Sequence, residues 1–376
     1  MDGGPSGPVH VHAARMPPHK WDPICRPPRG LVRPSGLDPH GLTGPTRGQA
    51  RGPRWRQTSH GYYVPATVDD DVPEQRILEQ SIRLPEGGAV TGWASLRLHG
   101  GGFFDGLAPD GRTRLPVPLA VGRRGAIRED SRVKVSREPL HPDDVVTVQG
   151  IPCTVVSRAV FDEMRRADGV VEAVVAIDMA VAALLVSVRR VRAYAAPRRR
   201  WRRSTLVEKA LDLASERSRS PNESRTRLIW EVDAGLPRPL VNQHVWDLRG
   251  NLLGIADLLD VEAGLVGEFD GADHRAALMH TNDIGRQERF ERHLLEVVRV
   301  TGLDVLHPGR VVDRILFHRS RARWLPPRQC RWTIQPPRGW EVEQSIDDLL
   351  DERDFLHDLH AEFERNPPDL REIRGW

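Results

Sequence analysis

Residues 220–322 constrain the fold most, because helical and strand-like segments follow one another there in the order helix, strand, strand, strand, helix, strand, helix. Apolar segments on both sides of Arg249-Gly250-Asn251 predict a β-hairpin. A third apolar run, "AGLVGEFDG" at 263–271, is bounded by glycines and predicts another strand. Since short strand candidates and helices also mix upstream, the expected fold class is α+β or α/β.

The leading helix of this region has a clear start signal. Ser220 precedes Pro221, and Glu223 follows three residues after the serine. This is a capping box with proline at the first helical position, so a helix is predicted to begin here. The motif also gives Glu223 an ordinary structural role, in which its carboxylate accepts from the Ser220 amide and pairs with Arg227 one turn later.

Acidic residues recur in the predicted strands. Glu268 and Asp270 share one face of a strand, roughly 7 Å apart along the chain. Asp257 lies in the preceding strand among apolar neighbours, where an acid is costly unless it meets a cation. Three converging carboxylates repel one another, and a hard divalent ion relieves that repulsion. The sequence therefore predicts a site for Mg²⁺ or Mn²⁺ at Asp257, Glu268 and Asp270.

A metal site of this kind can hydrolyse phosphodiester bonds. The ion polarises the phosphoryl oxygen and lowers the pKa of a bound water, and His274, just after the strand, is the candidate base. Asp283 and Arg286 are three apart on the following predicted helix. They form either an ion pair or, for Arg286, a phosphate contact. A surface turn would easily explain one of the three acids Asp257, Glu268 and Asp270, but it explains all three together poorly.

Together these motifs resemble the very-short-patch-repair-like branch of the PD-(D/E)XK nuclease superfamily. The resemblance rests on Glu223 in "ESRTRL", Asp257 in "ADLLD", then "EFDGADH" and "DIGRQERFERHLLEVVRVTGLDV", and it covers about 220–320. It implies a restriction-endonuclease-like fold with a central mixed sheet flanked by helices, magnesium as cofactor and DNA as substrate. It also implies that Asp257 is the metal-binding aspartate, Glu268 the acid of the D/E-X-K element and Glu223 the acid on the leading helix.

One position departs from the superfamily pattern. Asp270 stands where the superfamily has lysine. The branch that the chain resembles often has Glu-X-Asp-Gly at this point, so the change does not exclude activity. It removes the usual water-activating cation and leaves His274 or Arg286 to take that role.

The upstream sequence resembles actinobacterial proteins in which such a domain follows an AbiEi-type antitoxin region. "WRQTSHGYYVP" at 55–65 is similar to the wing of a winged-helix region, and "GAVTGWASLRLHG" at 88–100 to the segment that follows it. Pro/Gly-rich sequence replaces the recognition helices expected before the wing. A second function is therefore open, that of a non-catalytic DNA-binding antitoxin or transcriptional regulator with the nuclease-like fold as a scaffold. A cognate toxin is then a candidate partner.

Composition divides the chain into five segments. Residues 1–53 are rich in Pro, Gly and Arg with few large apolar groups, so disorder is expected. A small wing-like α+β region is expected at 54–156 and a helical connector at 157–219. The nuclease-fold domain follows at 220–322, and the tail at 323–376 is Trp/Pro-rich and then acidic and helical.

An arginine-rich joint at 189–203 is a second candidate DNA-contacting surface. It holds eight arginines and two aromatic residues. Such a cluster either binds phosphates, here through Arg198, Arg199 and Arg200, or forms a solvated helix surface.

Charge, cysteines and hydropathy indicate a cytoplasmic protein. A net charge of +3 does not by itself mark a nucleic-acid binder. The three cysteines form no C-x-x-C pair, which fits a reducing compartment. The most apolar run, at 170–188, is interrupted by Glu172 and Asp178 and predicts a buried core helix rather than a membrane span. No signal peptide, P-loop, dinucleotide fingerprint or G-x-S-x-G elbow is present, and the oligomeric state is left open.

Overall fold

The computed structural model is mixed α and β, with one two-stranded sheet and two five-stranded sheets among the residues that it describes. The predicted mixed class is confirmed at this level. None of the described helices combines the length and the apolar character that a membrane span requires. The described residues, with the backbone alone for 277–284, 361 and 363–365, are 22–26, 28–123, 125–270, 277–341 and 343–365.

A hairpin, two helices and a small mixed sheet make up residues 54–156. Strands β1 (Trp55–Ser59) and β2 (Tyr62–Pro65) pair antiparallel, as the wing-like sequence predicts, and α1 (Pro73–Ser81) follows. The sheet has the order β5-β4-β3-β7-β6, and α2 (Gly92–Leu98) follows its central strand. The strands of this sheet are β3 (Ala89–Val90), β4 (Val117–Ala120), β5 (Val133–Ser136), β6 (Val145–Val148) and β7 (Ile151–Thr154).

Four helices extend the same body. Their buried side chains join those of α1, α2 and the small sheet in one hydrophobic cluster, so the segments 54–156 and 157–219 share an interior. The prediction of a buried core helix at 170–188 is confirmed for its first part, because a helix spans Val170–Ala182 and every residue from Ala173 to Val181 is buried. Residues 183–187 are not helical, and a separate helix begins at Val188. The four helices are α3 (Val156–Arg166), α4 (Val170–Ala182), α5 (Val188–Ala195) and α6 (Ser204–Leu213).

Composition predicts disorder for residues 1–53, and the described part of this segment lies against the hairpin and α1. Ser35 and Tyr63 exchange both of their backbone hydrogen bonds, each at 2.9 Å. The side-chain amide of Gln75 on α1 bonds the backbone N–H and C=O of Val32, also at 2.9 Å each. Residues later in the chain therefore supply hydrogen-bond partners for the backbone of this segment, and composition alone does not predict these contacts.

The second five-stranded sheet is built from residues 240–333. Its order is β11-β10-β9-β8-β12, with β8, β9 and β10 antiparallel in sequence and β11 parallel to β10. The predicted alternation of helices and strands, the hairpin and the start of the leading helix are confirmed. The elements are α7 (Pro221–Leu228), β8 (Leu240–Asp247), β9 (Leu252–Asp260), β10 (Leu265–Asp270), α8 (Ala277–Arg292), β11 (Glu296–Thr301), α9 (Pro308–Arg321) and β12 (Trp332–Thr333).

Each face of this sheet has its own hydrophobic cluster. On one face Trp230, in the wider helical turn that follows α7, is fully buried with Leu258 and Leu265. On the other face Phe290 of α8 packs with Val266 and further strand side chains. The sheet therefore lies between helices, so side chains of its central strands are sheltered from water on both faces.

The tail crosses the sheet edge and returns to the first body. After β12, Trp340 packs edge-on against Trp246 with ring centroids 4.6 Å apart. Helix α10 (Ile346–Arg365) then begins after Ser345, whose hydroxyl accepts from the Asp348 N–H at 3.1 Å. Most described side chains of α10 are exposed, which confirms the predicted charged surface helix.

All three cysteines are free, as their spacing predicts.

Candidate functional site

Adjacent strands bring two of the predicted acids together. The antiparallel pairing of β9 with β10 runs from Asp260↔Leu265 to Leu258↔Gly267, and Asp257 and Glu268 are the next residues of the two strands. The Asp257 carboxylate also accepts from the Phe269 N–H at 2.7 Å, so the side chain is fixed against β10.

The carboxyl group of Asp257 has a strongly perturbed pKa. Burial between the strands raises its pKa well above the ordinary value, and the negative charges of Glu268 and Glu223 raise it further. The Phe269 N–H and the positive charge of Arg286 act in the opposite direction but do not cancel the shift. Three carboxyl groups from two strands and one helix therefore interact electrostatically at this point.

Glu223 turns its carboxylate towards the sheet. One half of the predicted capping box is present, because the Ser220 hydroxyl accepts from the Glu223 N–H at 3.2 Å. The carboxylate does not return to the Ser220 amide. Its Oε2 accepts instead from the Arg219 N–H at 3.1 Å and from the side-chain amide of Asn242 at 2.9 Å.

The predicted partner of Glu223 is engaged elsewhere. Arg227 is fully buried and pairs with Asp178 at 3.0 Å and with Glu231 at 3.1 Å. The structural role that the sequence offers for Glu223 thus applies to its backbone and not to its carboxylate.

Asn242 is a site residue that the sequence did not reveal. It lies within β8 with φ of +47°, a conformation that asparagine tolerates better than most residues. Its buried amide donates to the Arg217 carbonyl at 2.7 Å and to Glu223. The sequence of the strand, "LVNQHVWD", contains other polar residues as well and therefore does not single out Asn242.

Arg286, predicted as a phosphate contact, forms an ion pair with Glu268, which is only 4% exposed. Gly254 makes room for it, because a Cβ at that position would lie 3.0 Å from the Cγ of Arg286. The side chain of Asp283, the other candidate in the predicted ion pair, lies outside the described residues.

Asp270 lies at the end of β10 and is more open. Its side chain is 44% exposed, and one oxygen is 3.8 Å from the Arg299 guanidinium on β11. It is not among the largest influences on the pKa of Asp257. The groups that meet electrostatically are thus Asp257, Glu268 and Glu223, while His274, the predicted base, lies outside the described residues.

The donor chemistry at Asp257 and Glu268 fits a hard divalent ion. In the parts of the chain that the structure describes, no three His, Cys, Asp or Glu side chains are arranged to hold a metal ion. The two carboxyl groups are nevertheless oxygen donors that repel one another in a sheltered place, and a divalent cation relieves that repulsion. In the metal-free protein Arg286 supplies the neutralising charge for Glu268.

Some arginines of the arginine-rich joint at 189–203 have structural contacts within the protein. The Arg198 guanidinium lies 3.6 Å from the ring centroid of Tyr194 and donates to the carbonyl of the same residue at 2.7 Å. Arg199 is 3.3 Å from Glu208, and Arg200 is exposed. Of the three predicted DNA contacts here, Arg198 therefore has a clear structural role, and Arg200 is open to solvent.

Two further arginines border the carboxylates, and neither was a sequence candidate. Arg217 donates to the carbonyls of Val241 at 2.9 Å and Asn242 at 3.2 Å. Burial lowers the pKa of Arg219, while Glu343, Glu223 and Asp257 counteract that effect. The surroundings of the cluster are thus cationic, and Glu343 reaches them from the tail.

Comparisons with protein-family models, with curated proteins and with solved structures find no match for this chain. The site is therefore interpreted from its own geometry and chemistry.

Proposed function

We propose that residues 220–322 form a magnesium- or manganese-dependent endonuclease-like domain that hydrolyses phosphodiester bonds in DNA. One observation carries the proposal. The Asp257 carboxyl is held against β10 with its pKa raised by burial and by Glu268 and Glu223. Perturbed carboxyl groups of this kind concentrate at functional sites, because a purely structural sheet gains nothing from gathering like charges.

The order of elements supports a restriction-endonuclease-like fold for this domain. A leading helix, three antiparallel strands, a helix and a parallel strand surround the carboxyl groups, with helices on both faces of a mixed sheet. A mixed sheet flanked by helices is what the resemblance to the very-short-patch-repair-like branch implies. Glu223 lies on the leading helix α7, Asp257 on β9 and Glu268 on β10.

In the proposed mechanism Asp257 and Glu268 would hold the ion, and Glu223, which accepts a hydrogen bond from Asn242, would add negative charge to the site. A bound Mg²⁺ or Mn²⁺ ion supplies the charge that polarises the phosphoryl oxygen and acidifies a water molecule. Arg286 pairs with Glu268 and would be a cation for the phosphate. His274 remains the candidate base, and Asp270, 3.8 Å from Arg299, lies at the end of β10.

A plasmid-nicking assay tests the proposal. The wild-type protein should nick supercoiled DNA with MgCl₂ or MnCl₂ and not with EDTA. Asp257→Asn and Glu268→Gln should each lower the nicking rate by more than about 10–100-fold, which is the loss typical of substituting a residue that only supports a metal ligand. Asp313→Asn, which removes an exposed carboxylate on α9, is the matched control and should cut normally. Cutting by Asp257→Asn at the wild-type rate, or none by the wild type with any divalent ion, rejects the proposal.

A non-catalytic DNA-binding antitoxin or transcriptional regulator is the second candidate. The β1–β2 hairpin, with its wing-like sequence, favours this role, and the Arg286–Glu268 ion pair satisfies the site without metal. A gel shift on the promoter of its own gene in EDTA separates the two. A regulator binds that fragment without metal and leaves it intact when magnesium is added.

A further inference from the structure

The C-terminal tail is anchored beside the carboxylates. β12 pairs with the edge of β8, and a Cβ on Gly250, in the β8–β9 turn, would meet Pro337 at 3.1 Å. Trp340 then packs against Trp246 and against His244, whose ring centroid is 5.5 Å away. These contacts deliver the next part of the tail to a defined place on the sheet.

That place is the pair of arginines at the entrance to the cluster. A Glu343 oxygen lies 3.4 Å from the Arg217 guanidinium, and the other lies 4.0 Å from that of Arg219. The Glu343 side chain is 53% exposed, so this ion pair is open to solvent. Exposed ion pairs contribute little to stability, and a competing anion can therefore replace the carboxylate at little cost.

The Arg217 guanidinium and the Arg219 backbone have partners other than Glu343. Arg217 donates to backbone carbonyls of β8, and the Arg219 N–H donates to the Glu223 carboxylate. The Arg219 guanidinium is 24% exposed and close enough to Asp257 and Glu223 to interact with both. An anion on this pair would thus sit next to the carboxyl groups that the proposed reaction uses.

The tail repeats this pairing as it continues into α10. Asp347 bonds Arg189 at 2.7 Å. Asp351 and Asp354, on the same face of α10, bond Arg190 at 2.6 and 2.7 Å. Successive acids of the tail therefore cover successive arginines of the body, which is the arrangement that a chain of phosphates would also satisfy.

We propose that Arg217 and Arg219 bind a backbone phosphate of DNA beside the carboxylate cluster, and that Glu343 occupies this position while DNA is absent. The inference rests on the proposed function for the identity of the ligand. Guanidinium groups are suited to phosphate because their donors match its oxygens. DNA binding then exchanges one exposed ion pair for a phosphate contact and frees the tail from this point.

The test is DNA binding by the full-length protein in EDTA, measured by fluorescence anisotropy with a short labelled duplex over a range of salt concentrations. Glu343→Gln should tighten binding by about 1.5- to fivefold, the range that loss of an exposed ion pair allows. Glu341→Gln is the matched control, since it removes the same charge from an exposed neighbour that forms no ion pair with a described residue. It should change the affinity less than Glu343→Gln.

The double variant Arg217→Gln/Arg219→Gln should bind more weakly, and the slope of log K against log salt should fall in magnitude by about 0.9 for each lost phosphate contact. Its folding is checked by thermal unfolding, and the comparison of Glu343 with Glu341 does not depend on it. Equal effects of the two glutamate variants overturn the inference. A protein that never cuts DNA but shows the Glu343 effect overturns only the proposed catalysis.

Discussion

The helix that carries Glu223 is tied to the N-terminal body by one buried ion pair, and breaking it should destabilise the protein strongly. Asp178 of α4 and Arg227 of α7 are both fully buried, 3.0 Å apart. Asp178 also accepts from the Ser224 hydroxyl and the Ser215 N–H, each at 2.7 Å. Burial raises the pKa of Asp178 although Arg227 opposes that shift, so the pair is held at a desolvation cost.

Removing one partner leaves the other charge buried, which typically costs about 3–5 kcal/mol. Asp178→Ala should therefore lower the free energy of unfolding by about 3 kcal/mol, the lower end of this range, because Arg227 keeps its contact with Glu231. Asp233→Ala, which truncates an exposed acid just beyond α7, should stay within about 0.5 kcal/mol of the wild type.

Urea unfolding followed by tryptophan fluorescence measures both changes. The double variant Asp178→Leu/Arg227→Met should recover most of the loss, since an apolar replacement of similar volume removes both buried charges together. The reasoning is refuted if Asp178→Ala costs less than about 1 kcal/mol, or if the loss in the double variant equals the summed losses of Asp178→Leu and Arg227→Met, each measured singly.

Three further predictions concern the site and the core. Because the pKa of Asp257 is raised, a divalent ion competes with a proton for this carboxyl group. Mn²⁺ binding measured by calorimetry should therefore tighten as pH rises through that pKa, and without added metal the protein should lose stability over the same pH interval. An Mn²⁺ affinity that does not change with pH would contradict this. Burial raises the pKa of Cys153 to about 11, so a thiol reagent at pH 8 should label it only after unfolding, and rapid labelling of the native protein would be inconsistent with its burial. Gly254→Ala places a Cβ 2.8 Å from the Phe290 ring and should cost about 1–3 kcal/mol by chemical unfolding, whereas Gly309→Ala, in open space on α9, should not be destabilising.

Local patterns predicted several elements in both parts of the fold. The Ser220 capping motif, the turn at Arg249-Gly250-Asn251 and the apolar run at 170–188 each contain their signal within a few consecutive residues. Such signals depend on backbone preferences and burial, which the sequence carries directly.

The composition of the site depended on contacts between distant segments. Spacing alone places Asp270 on the same face as Glu268, but its open position at the end of β10 separates it from the charges around Asp257. The direction of the Glu223 carboxylate is set by Asn242, which is distant in sequence and lies on a strand with an unusual φ. Neither feature has a local sequence signature.

The approach of Glu343 to Arg217 also could not be read from the sequence. It requires β12 to pair with β8 and the tail to turn back over the sheet, so it joins residues that are far apart in the chain. The tail's prolines and tryptophans indicate an ordered surface segment but do not say which arginine its acids meet.

The central proposal is that Asp257 and Glu268 bind one divalent ion together. A manganese-specific anomalous difference map, from crystals grown with MnCl₂, tests this directly. It should show a peak within about 2.6 Å of oxygens from both residues, with Arg286 moved away from Glu268. A map with no peak between them, and with the Arg286–Glu268 ion pair intact at saturating manganese, would contradict the central claim.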